Sequence, residues 1–524
     1  MNYKIFIPCA GTGSRLGGLT NEINKGLVTV AGKPCLSHII DKLPQEVEIV
    51  VALGYKADLV KQFLRHAYPD RKITIVSVSP YEGLGSGLGE TLLQSREHLM
   101  CPFIFCANDT IVQGDLPTPD KNWMGYADKK NSDQYRGLLV GDYNQILDVC
   151  SKGAAQDAFP YIGLAGIFDY AKFWSEMVDG KLQGSIEIGE SYALKQMLNV
   201  GIEAIRFKWY DTGSPNALEE TRKTLESNSD HNILDKSDEA IWFVGNKVLK
   251  YSRDLKFITD RSARVEHLAG FVPEILSVSD NIYAYRYIAG AVFSRNVNPS
   301  RFSYLLGWLD GFWKEKSLDA VEQDRFRGAC TIFYKTKTEQ RVVEYLKRFE
   351  QLDSSDLING DPTPKMSELL EQIDWCRLCD GKAVRFHGDL HFENILLDAE
   401  GTPPFVLLDW RQNFGGILEY GDVYYDFAKL LHGLIISHEM VKKNMFSISQ
   451  CANEISYEIW RKHSLVECET VLSAYVVRKG FDWSKVRTLA ALIFINIAPL
   501  HHYPYSKLLY YLGKHMLSRQ LVVS

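Results

Sequence analysis

A run of residues near the C-terminus combines two carboxylates and an amide at spacings that suit phosphoryl transfer. Asp389 follows His387-Gly388, Asn394 comes shortly after it, and Asp409 ends a second apolar stretch. A carboxylate in the first position can accept the proton of an attacking hydroxyl group. The amide and the second carboxylate can hold magnesium against a nucleoside triphosphate. The pattern predicts Asp389 as a catalytic base and Asn394 and Asp409 as metal ligands.

A glycine-rich turn follows the first apolar run of the chain, Ile5 to Ile7. Glycines at such a place let backbone N–H groups approach phosphates closely. The spacing is not that of a P-loop, since no Gly-Lys-Ser/Thr follows, and the third glycine of the dinucleotide fingerprint is missing. We predict Ala10, Gly11 and Gly13 as nucleotide contacts. A tight strand-to-helix connection is the alternative.

Several motifs along residues 1–222 resemble the sugar nucleotidyltransferase (nucleotide-sugar pyrophosphorylase) family. The resemblance is carried by Asn24-Lys25-Gly26-Leu27, Asn108-Asp109, Tyr161 to Gly166 and Trp209 to Pro215. It implies an attack of a phosphate monoester on the α-phosphorus of a nucleoside triphosphate, which expels pyrophosphate. Both reactants are anionic, so charge must be cancelled before they meet.

The same resemblance implies a role for individual residues. Arg15 and Lys25 would be the catalytic cations, and Asp109 and Asp211 would hold one magnesium ion. The remaining implied positions are the loop around the base and the sugar side of the site, namely Gly85, Ser86 and Gly87, and Gly163 and Glu187.

The Asp389 to Asp409 region resembles the aminoglycoside phosphotransferase and choline kinase-like family. The resemblance implies Lys250 as the lysine that binds the α- and β-phosphates of ATP, and Tyr287 and Ile288 as backbone contacts to adenine. Arg411 could bind an acid or phosphate of the substrate, or merely pair with Glu419.

Other residues of this region have two interpretations each. Glu266 could orient Lys250 or lie on a solvated helix face. Asp426 and His387 are expected to brace the catalytic loop. The aromatic residues could form a cage for a quaternary ammonium group or pack in the core, and these are Trp410, Tyr420, Tyr424 and Tyr425.

Length and composition indicate a multidomain globular enzyme. The 524 residues exceed what one hydrophobic core usually supports. A formal net charge of -6 offers no basic stripe, so nucleic acid is not an expected partner. Ten cysteines scattered along the chain favour a reduced cytoplasmic setting. We expect neither a signal peptide nor insertion into a membrane.

The order of apolar runs predicts an α/β protein with two catalytic domains. Strands and helices alternate over residues 1–222, which predicts a Rossmann-like nucleotidyltransferase sheet. Residues 223–239 are polar and are predicted to be a linker. Residues 240–524 begin with strand pairs and become mostly helical from Pro299 apart from the catalytic loop. They predict a bilobal, protein-kinase-like α+β domain.

The two halves together predict consecutive reactions. ATP would phosphorylate a small hydroxyl compound, most simply a sugar at its anomeric position. A second triphosphate, CTP or UTP, would then convert the phosphate to a nucleoside-diphosphate adduct for surface polysaccharide or cell-wall synthesis, with Mg²⁺ in both domains. One alternative is an amino-alcohol kinase, for choline or ethanolamine, with a cytidylyltransferase. Another is that one domain is inactive and regulatory, and a homo-oligomer is possible.

Overall fold

The computed structural model describes residues 2–128, 134–153, 157–184, 189–225, 238–398 and 404–523. The chain forms two compact units. The first comprises Met1–Leu255 with Leu276–Tyr285, and the second comprises Lys256–Ile275 with Arg286–Ser524. Most of the predicted linker, residues 226–237, lies outside the described residues. The predicted boundaries at 222 and 240 stay a prediction, because a unit defined by contacts need not coincide with a catalytic domain.

The first unit alternates strands and helices over most of its length. Its elements are β1 (Lys4–Cys9), β2 (Thr29–Val30), β3 (Lys33–Pro34), α1 (Cys35–Ile40), β4 (Glu48–Leu53), α2 (Ala57–Ala67), β5 (Ile73–Ser77), α3 (Leu88–Ser95), β6 (Phe103–Cys106), β7 (Thr110–Gln113), β8 (Trp123–Tyr126), β9 (Gly137–Val140), β10 (Ile146–Cys150), β11 (Phe159–Ile167), α4 (Tyr170–Leu182), α5 (Glu190–Gln196), β12 (Glu203–Arg206), β13 (Lys208–Asp211), α6 (Pro215–Leu225), β14 (Glu239–Val244), β15 (Lys247–Ser252), β16 (Ile275–Val278) and β17 (Ile282–Arg286).

The main sheet of this unit is mixed, with a parallel centre. Its order is β10-β9-β11-β6-β1-β4-β5, with β8 on β11 and β12 on β8. Strand β1 pairs in parallel with both β4 and β6, and its apolar run is buried because helices cover both faces of such a centre. The chain leaves β1 for β4 on one side and returns as β6 on the other. Loops after β1 and β6 therefore flank a topological switch point, where open α/β sheets bind ligands.

A second sheet, in the order β14-β15-β17-β16, packs within the same unit. The Trp242 ring on β14 lies edge-on to Phe63 of α2, with ring centroids 5.2 Å apart. The Trp242 indole also donates to the backbone oxygen of Leu27 at 3.0 Å. Both hydrophobic side chains are fully buried in one core cluster with β1 and β4. The strand pairs after residue 238 are thus part of the first unit's core.

The second unit is mainly helical. Its elements are α7 (Leu255–Ala263), β18 (Ala291–Val292), α8 (Pro299–Phe312), α9 (Ala320–Thr331), α10 (Lys337–Arg348), β19 (Asp356–Ile358), β20 (Asp361–Thr363), α11 (Met366–Gln372), α12 (Trp375–Cys379), β21 (Ala383–Val384), β22 (Ile395–Leu397), β23 (Phe405–Leu407), β24 (Gly421–Asp422), α13 (Val423–Ile435), α14 (His438–Lys442), β25 (Phe446–Cys451), β26 (Glu454–Ile459), α15 (His463–Arg478), α16 (Trp483–Ile497) and α17 (Tyr505–Val523).

Helix α13 is the apolar centre of this unit and packs against α15 and α16. The hairpin of β22 and β23 is antiparallel, with Ile395 opposite Leu407. The chain is mostly helical after Pro299, as expected, but it also forms a four-stranded sheet in the order β20-β19-β26-β25 that was not predicted. Strand β25 alternates serine with isoleucine, a short period-two pattern that the surrounding helical periodicity hides. Within the described chain, no helix is long and apolar enough to cross a membrane.

Candidate active sites

The loop that carries Lys25 is tied to the carboxyl end of β1. The Asn24 side chain donates to the backbone oxygens of Cys9, at 2.9 Å, and of Tyr55, at 2.8 Å. The side-chain oxygen of Asn24 accepts from the Gly26 N–H at 2.9 Å. This bond caps the short helical turn that begins at Lys25. The buried amide of Asn24 therefore fixes Lys25 at the edge of the switch point.

The ammonium group of Lys25 forms an ion pair with the Asp109 carboxylate. Asp109 lies in the turn between β6 and β7, at the other side of the switch point. Burial alone raises the pKa of its carboxyl group, but the Lys25 ammonium and then the Arg15 guanidinium outweigh burial, so the pKa lies below its ordinary value. Asp109 is therefore an anion at neutral pH.

Asp211 lies next to Asp109 because β13 pairs with β7. Asp211 stands opposite Thr110 in this antiparallel ladder. The Asp109 Oδ2 and Asp211 Oδ1 atoms are each 3.0 Å from the position that a Cβ on Gly213 would occupy. The two carboxylate oxygens are thus no more than twice that distance apart. An Nη atom of Arg15 lies 3.8 Å from the same position. The structure brings together four predicted residues, Arg15, Lys25, Asp109 and Asp211.

Tyr135 is part of this centre, although sequence reasoning did not find it. Its hydroxyl donates to Asp211, and its ring lies edge-on to Trp209 with centroids 4.9 Å apart. Burial and the Asp211 carboxylate raise the pKa of the Tyr135 hydroxyl, so it stays protonated and can donate. Tyr135 lies far from Asp211 along the chain and in no motif, so the sequence held no signal for the pair.

The backbone conformation and close packing of Gly163 on β11 require a glycine. Its φ is +70°, and a Cβ there would lie 2.8 Å from the Cβ of Ala107. Its carbonyl accepts from the Ala107 N–H at 2.8 Å. Gly163 therefore lets β11 hold the turn that carries Asp109. Its contact with substrate stays a prediction.

The other predicted residues of the first site are less closely connected. Ala10 is buried and Gly11 exposed at the end of β1, while Gly13 lies against the Lys25 side chain. Gly85 and Gly87 are exposed and Ser86 is half-buried in a loop that precedes α3. In the described part of the chain, no hydrogen bond or ion pair joins that loop to the Asp109 centre. Glu187 lies outside the described residues.

The first centre has the donor set that magnesium needs. Carboxylate oxygens are hard ligands, and Mg²⁺ commonly uses one or two of them together with substrate phosphates. Among the described residues, no three acidic, histidine or cysteine side chains form a larger cluster. Asp109 and Asp211 would hold the ion, and phosphates would supply further ligands. Bound there, the ion would cancel charge between the reacting phosphates.

The second centre, in the second unit, surrounds Asp389. The ammonium group of Lys429 lies 2.7 Å from Asp389 Oδ1, and the Nε2 of His391 lies 3.8 Å from Oδ2. Burial raises the pKa of Asp389, but Lys429 in particular outweighs it, so the pKa lies well below its ordinary value. Burial lowers the pKa of His391 to about 4. The base is therefore an anion beside a neutral imidazole.

Lys429 was missed at the level of sequence. It lies on α13, and its side chain is nearly fully buried despite its charge. Buried lysines are rare unless paired. A lysine inside the mostly apolar α13 was the available signal.

The backbone before Asp389 is held in place by hydrogen bonds to Asp426 and by the buried His387. Asp426 accepts from the N–H groups of His387, at 2.8 Å, and Gly388, at 2.7 Å, and from the Trp313 indole at 3.0 Å. His387 is fully buried and bonds through Nε2 to the Leu408 oxygen at 2.8 Å. These are the bracing roles expected of Asp426 and His387.

Arg264 adds a second brace. Its buried guanidinium donates to three backbone oxygens, those of Phe386, Arg411 and Leu418. Glu266, two residues later, is exposed. Arg264 links the segments before and after the catalytic loop.

Asn394 and Asp409 lie at the same end of the β22–β23 hairpin. Asn394 precedes β22 and Asp409 follows β23, and the Leu408 N–H donates to the backbone oxygen of Asn394 at 2.7 Å. The Asn394 amide nitrogen donates to the Asp389 backbone oxygen at 2.9 Å, so its side-chain oxygen is the end suited to a cation. Asp409 has φ +56°, a conformation that typically persists at functional sites. The pair fits Mg²⁺ by ligand type.

The predicted ATP contacts lie on separate elements. Lys250 is buried on β15, opposite Ile241 of β14. Tyr287 and Ile288 are half-buried in the irregular segment after β17. Their roles toward ATP stay predictions.

The aromatic residues near Asp409 pack in the core. Trp410, Tyr420 and Tyr425 are buried, and the Trp410 indole donates to the Arg261 oxygen at 2.8 Å. The Tyr425 ring lies edge-on to Phe333 with centroids 4.8 Å apart. These three therefore form no open cage.

Two protein families match the chain, each over one of these centres. The family described as MobA-like NTP transferase domain matches residues 5–116, which contain Arg15, Lys25 and Asp109. The phosphotransferase enzyme family matches residues 316–442, which contain Asp389, Asn394 and Asp409. One region of the chain thus matches a nucleotidyltransferase family and another matches a phosphotransferase family. Both predicted resemblances and the predicted fold class are thereby confirmed.

Curated relatives align with the nucleotidyltransferase region. The bifunctional protein GlmU of Methanocaldococcus jannaschii is 26% identical over 252 residues, which are 47% of this chain and 59% of that protein. The UTP–glucose-1-phosphate uridylyltransferase AglF of Haloferax volcanii is 26% identical over 234 residues, 41% of this chain and 94% of that protein. The chain thus spans little more than half the length of GlmU.

A shorter match and one solved structure complete the comparison. The probable glucose-1-phosphate cytidylyltransferase of Bacillus subtilis is 33% identical over 118 residues, 22% of this chain and 42% of that protein. The CTP:phosphocholine cytidylyltransferase LicC of Streptococcus pneumoniae superposes with a TM-score of 0.37 at 19% identity, covering 43% of this chain and 100% of that one.

Proposed function

We propose that the chain is a bifunctional enzyme that phosphorylates a small hydroxyl compound with ATP and then transfers a nucleotidyl group to the phosphate. One observation carries this proposal. The chain holds two carboxylate centres, one around Asp389 and one around Asp109 and Asp211, each with its own ammonium group in contact. A kinase makes a phosphate monoester, and a nucleotidyltransferase consumes one, so the reactions follow each other chemically.

At the Asp389 centre a side chain of the protein accepts the proton of the acceptor hydroxyl group. The ionised Asp389 carboxylate takes the hydroxyl proton as the hydroxyl oxygen attacks the γ-phosphorus. Asn394 and Asp409 would hold Mg²⁺, which supplies charge cancellation on the triphosphate. Tyr287 and Ile288 would contact adenine through their backbone.

At the other centre, Arg15 and Lys25 counter the charge of the attacking phosphate and the leaving pyrophosphate. Asp109 and Asp211 would hold Mg²⁺ there, and Tyr135 fixes the orientation of Asp211. Ala10, Gly11 and Gly13 would contact the triphosphate. Sugar phosphates are the named substrates of AglF and of the Bacillus subtilis relative, which favours a sugar acceptor and UTP or CTP.

The amino-alcohol alternative has less support. A quaternary ammonium acceptor needs open aromatic faces, whereas Trp410, Tyr420 and Tyr425 are buried in the core. The alternative that the phosphotransferase region is inactive also has less support, because Asp389 contacts both Lys429 and Asn394. A cytoplasmic role in polysaccharide precursor synthesis follows from the type of product.

The test is a substrate panel with two separate readouts. Full-length protein is incubated with ATP, Mg²⁺ and sugars or amino-alcohols, and ADP is measured. The same protein with each nucleoside triphosphate and the matching phosphate esters is assayed for pyrophosphate. We expect one acceptor to give ADP and its phosphate ester to give pyrophosphate with one base. Pyrophosphate release without any acceptor-dependent ADP would refute the tandem reaction.

A further inference from the structure

Three cationic side chains, those of Lys429, Arg411 and Lys337, lie near the Asp389 carboxylate. Lys429 on α13 pairs with it directly. Arg411 follows Asp409 and donates through Nε to the Gly388 oxygen at 3.0 Å. Lys337 begins α10. Burial, and then the charges of Arg411 and Lys429, hold the pKa of Lys337 well below its ordinary value, so these cations lie close enough to repel one another. Three cations and one carboxylate, that of Asp389, therefore interact here.

Two of the cations have no carboxylate partner in the ranges that the structure describes. The Lys337 ammonium contacts the Phe333 ring at 4.7 Å, and the Arg411 guanidinium lies 5.1 Å from the same ring. Neither forms an ion pair with a described residue, and the pairing of Arg411 with Glu419 that the sequence allowed is absent there. Half-buried charges are normally paired. The Phe333 ring thus brings together two cations that form no ion pair with a described residue.

The helical run that leads into Lys337 is distorted just before this residue. A π-helical turn, Ile332–Thr336, interrupts the long helical run between α9 and α10. It contains Phe333, whose ring packs against Phe414 with centroids 4.6 Å apart. Single π-helical turns occur frequently at functional sites. Here the turn directly precedes Lys337 and provides the ring against which both cations lie.

We infer that the acceptor phosphorylated at Asp389 carries an anionic group, a carboxylate or a phosphate, that Lys337 and Arg411 bind. The inference rests on the proposed function and narrows its acceptor to acidic hydroxyl compounds. The acceptor oxygen forms the new bond to the γ-phosphorus, the bond from that phosphorus to ADP breaks, and Asp389 receives the hydroxyl proton. The anionic group takes part in no bond change. A cationic acceptor would meet like charge, which selects against it.

The first test compares matched acceptors on the full-length protein with ATP and Mg²⁺. Glucose, glucuronic acid and glucose 6-phosphate differ in one group, as do glycerol, glycerate and glycerol 3-phosphate, and choline and ethanolamine supply cations. We expect kcat/KM at least tenfold higher for an acidic member than for its neutral partner. The two acidic arms distinguish a carboxylate from a phosphate. A preference for a neutral or cationic acceptor overturns the inference.

The second test removes each cation. Lys337→Gln and Arg411→Gln should raise KM for the acidic acceptor by roughly 10- to 100-fold, the range for a lost hydrogen bond to a charged group, with a much smaller change for its neutral partner. Lys347→Gln removes an exposed lysine from the same helix and should leave both values unchanged. Equal losses for acidic and neutral acceptors would show a structural role and refute anion binding.

A binding measurement separates the inference from the proposed function. Inorganic phosphate is titrated calorimetrically into full-length protein saturated with Mg²⁺ and a non-hydrolysable ATP analogue, which occupies the γ-phosphate position. We expect Lys337→Gln to bind phosphate at least tenfold more weakly than wild type. If no acceptor is turned over but this difference is found, the kinase proposal fails while the anion site stands. Equal binding by both proteins overturns the anion site.

Discussion

The indole N–H of Trp242 donates to the backbone oxygen of Leu27 at 3.0 Å, two residues beyond Lys25. Trp242 lies on β14, which follows the predicted linker, yet it is fully buried in the core of the first unit. The loop that carries Lys25 is therefore held from both sides, by Asn24 against β1 and by Trp242 against β14. The loop that carries Lys25 thus contacts a residue outside the predicted nucleotidyltransferase domain.

Trp242→Phe should destabilise the first unit. The change leaves the Leu27 oxygen without its donor and leaves a cavity, so we expect a loss of about 2–4 kcal/mol in the free energy of unfolding. Urea unfolding of the full-length protein measures it. Trp460→Phe is the matched control, because Trp460 is 49% exposed, and should change stability by less than about 0.5 kcal/mol. Equal effects of both changes would contradict the role of Trp242.

The two centres should be separable by single substitutions. Asp389→Ala removes the proton acceptor, so ADP formation should fall by about 10²- to 10⁴-fold while pyrophosphate release from a supplied phosphate ester is retained. Asp211→Ala should give the reverse result, because it removes a carboxylate of the nucleotidyltransferase centre. Each variant is the control for the other. Loss of both activities in either variant would contradict two independent centres.

Gly163→Ala should impair the Asp109 turn. The new methyl group would approach Ala107 within 2.8 Å at a φ of +70°, so both overpacking and backbone strain are expected, at about 1–3 kcal/mol. Gly201→Ala is the control, because Gly201 has a φ of +82° but nothing within 4 Å of the added Cβ. Thermal unfolding and pyrophosphate release of both variants distinguish them. Gly163→Ala should lose more in both measurements, and equal effects would reject the close contact with Ala107.

Residues that are close in sequence could be placed from the sequence alone. Asn394 and Asp409 lie at one end of the β22–β23 hairpin and Asp389 lies shortly before it, so their spacing follows from local structure. The apolar runs of β1, β4 and β6 predicted the parallel centre of the main sheet, because such strands are buried on both faces. Asp109 and Asp211 are distant in the chain, and it was a family resemblance that placed both at one site.

Contacts made only by tertiary packing left no such pattern. Tyr135 contacts Asp211, and Trp242 contacts Leu27, although both pairs are far apart in the sequence. A single residue outside any motif produces no periodic pattern that could predict such a contact. Lys337 and Arg411 meet at the Phe333 ring because of a π-helical turn, which helical periodicity does not reveal. Strand β25 was missed because its alternation is short.

Glu190 is a buried carboxyl group of the first unit. It is the first residue of α5 and is 5% exposed. Burial, the largest effect, raises the pKa of Glu190 to about 7 from its ordinary 4.5. Between these two pH values the folded chain retains a proton that the unfolded chain has released. Stability contributed by this proton is complete below pH 4.5 and is lost as the pH rises through 7.

Glu190→Gln should therefore remove part of the pH dependence of stability. The amide stays neutral, so the loss of about 2–3 kcal/mol that the pKa difference implies on raising the pH from 5 to 8 should disappear from the variant. Thermal unfolding of the full-length wild type and variant at both pH values measures the change. The stability at pH 8 is subtracted from that at pH 5 for each protein, so any effect of the substitution that does not depend on pH cancels. Glu97→Gln, at an exposed position, should keep the wild-type dependence. A Glu190→Gln protein whose stability falls between pH 5 and 8 as steeply as wild type would show that the carboxyl group is already ionised in the folded chain.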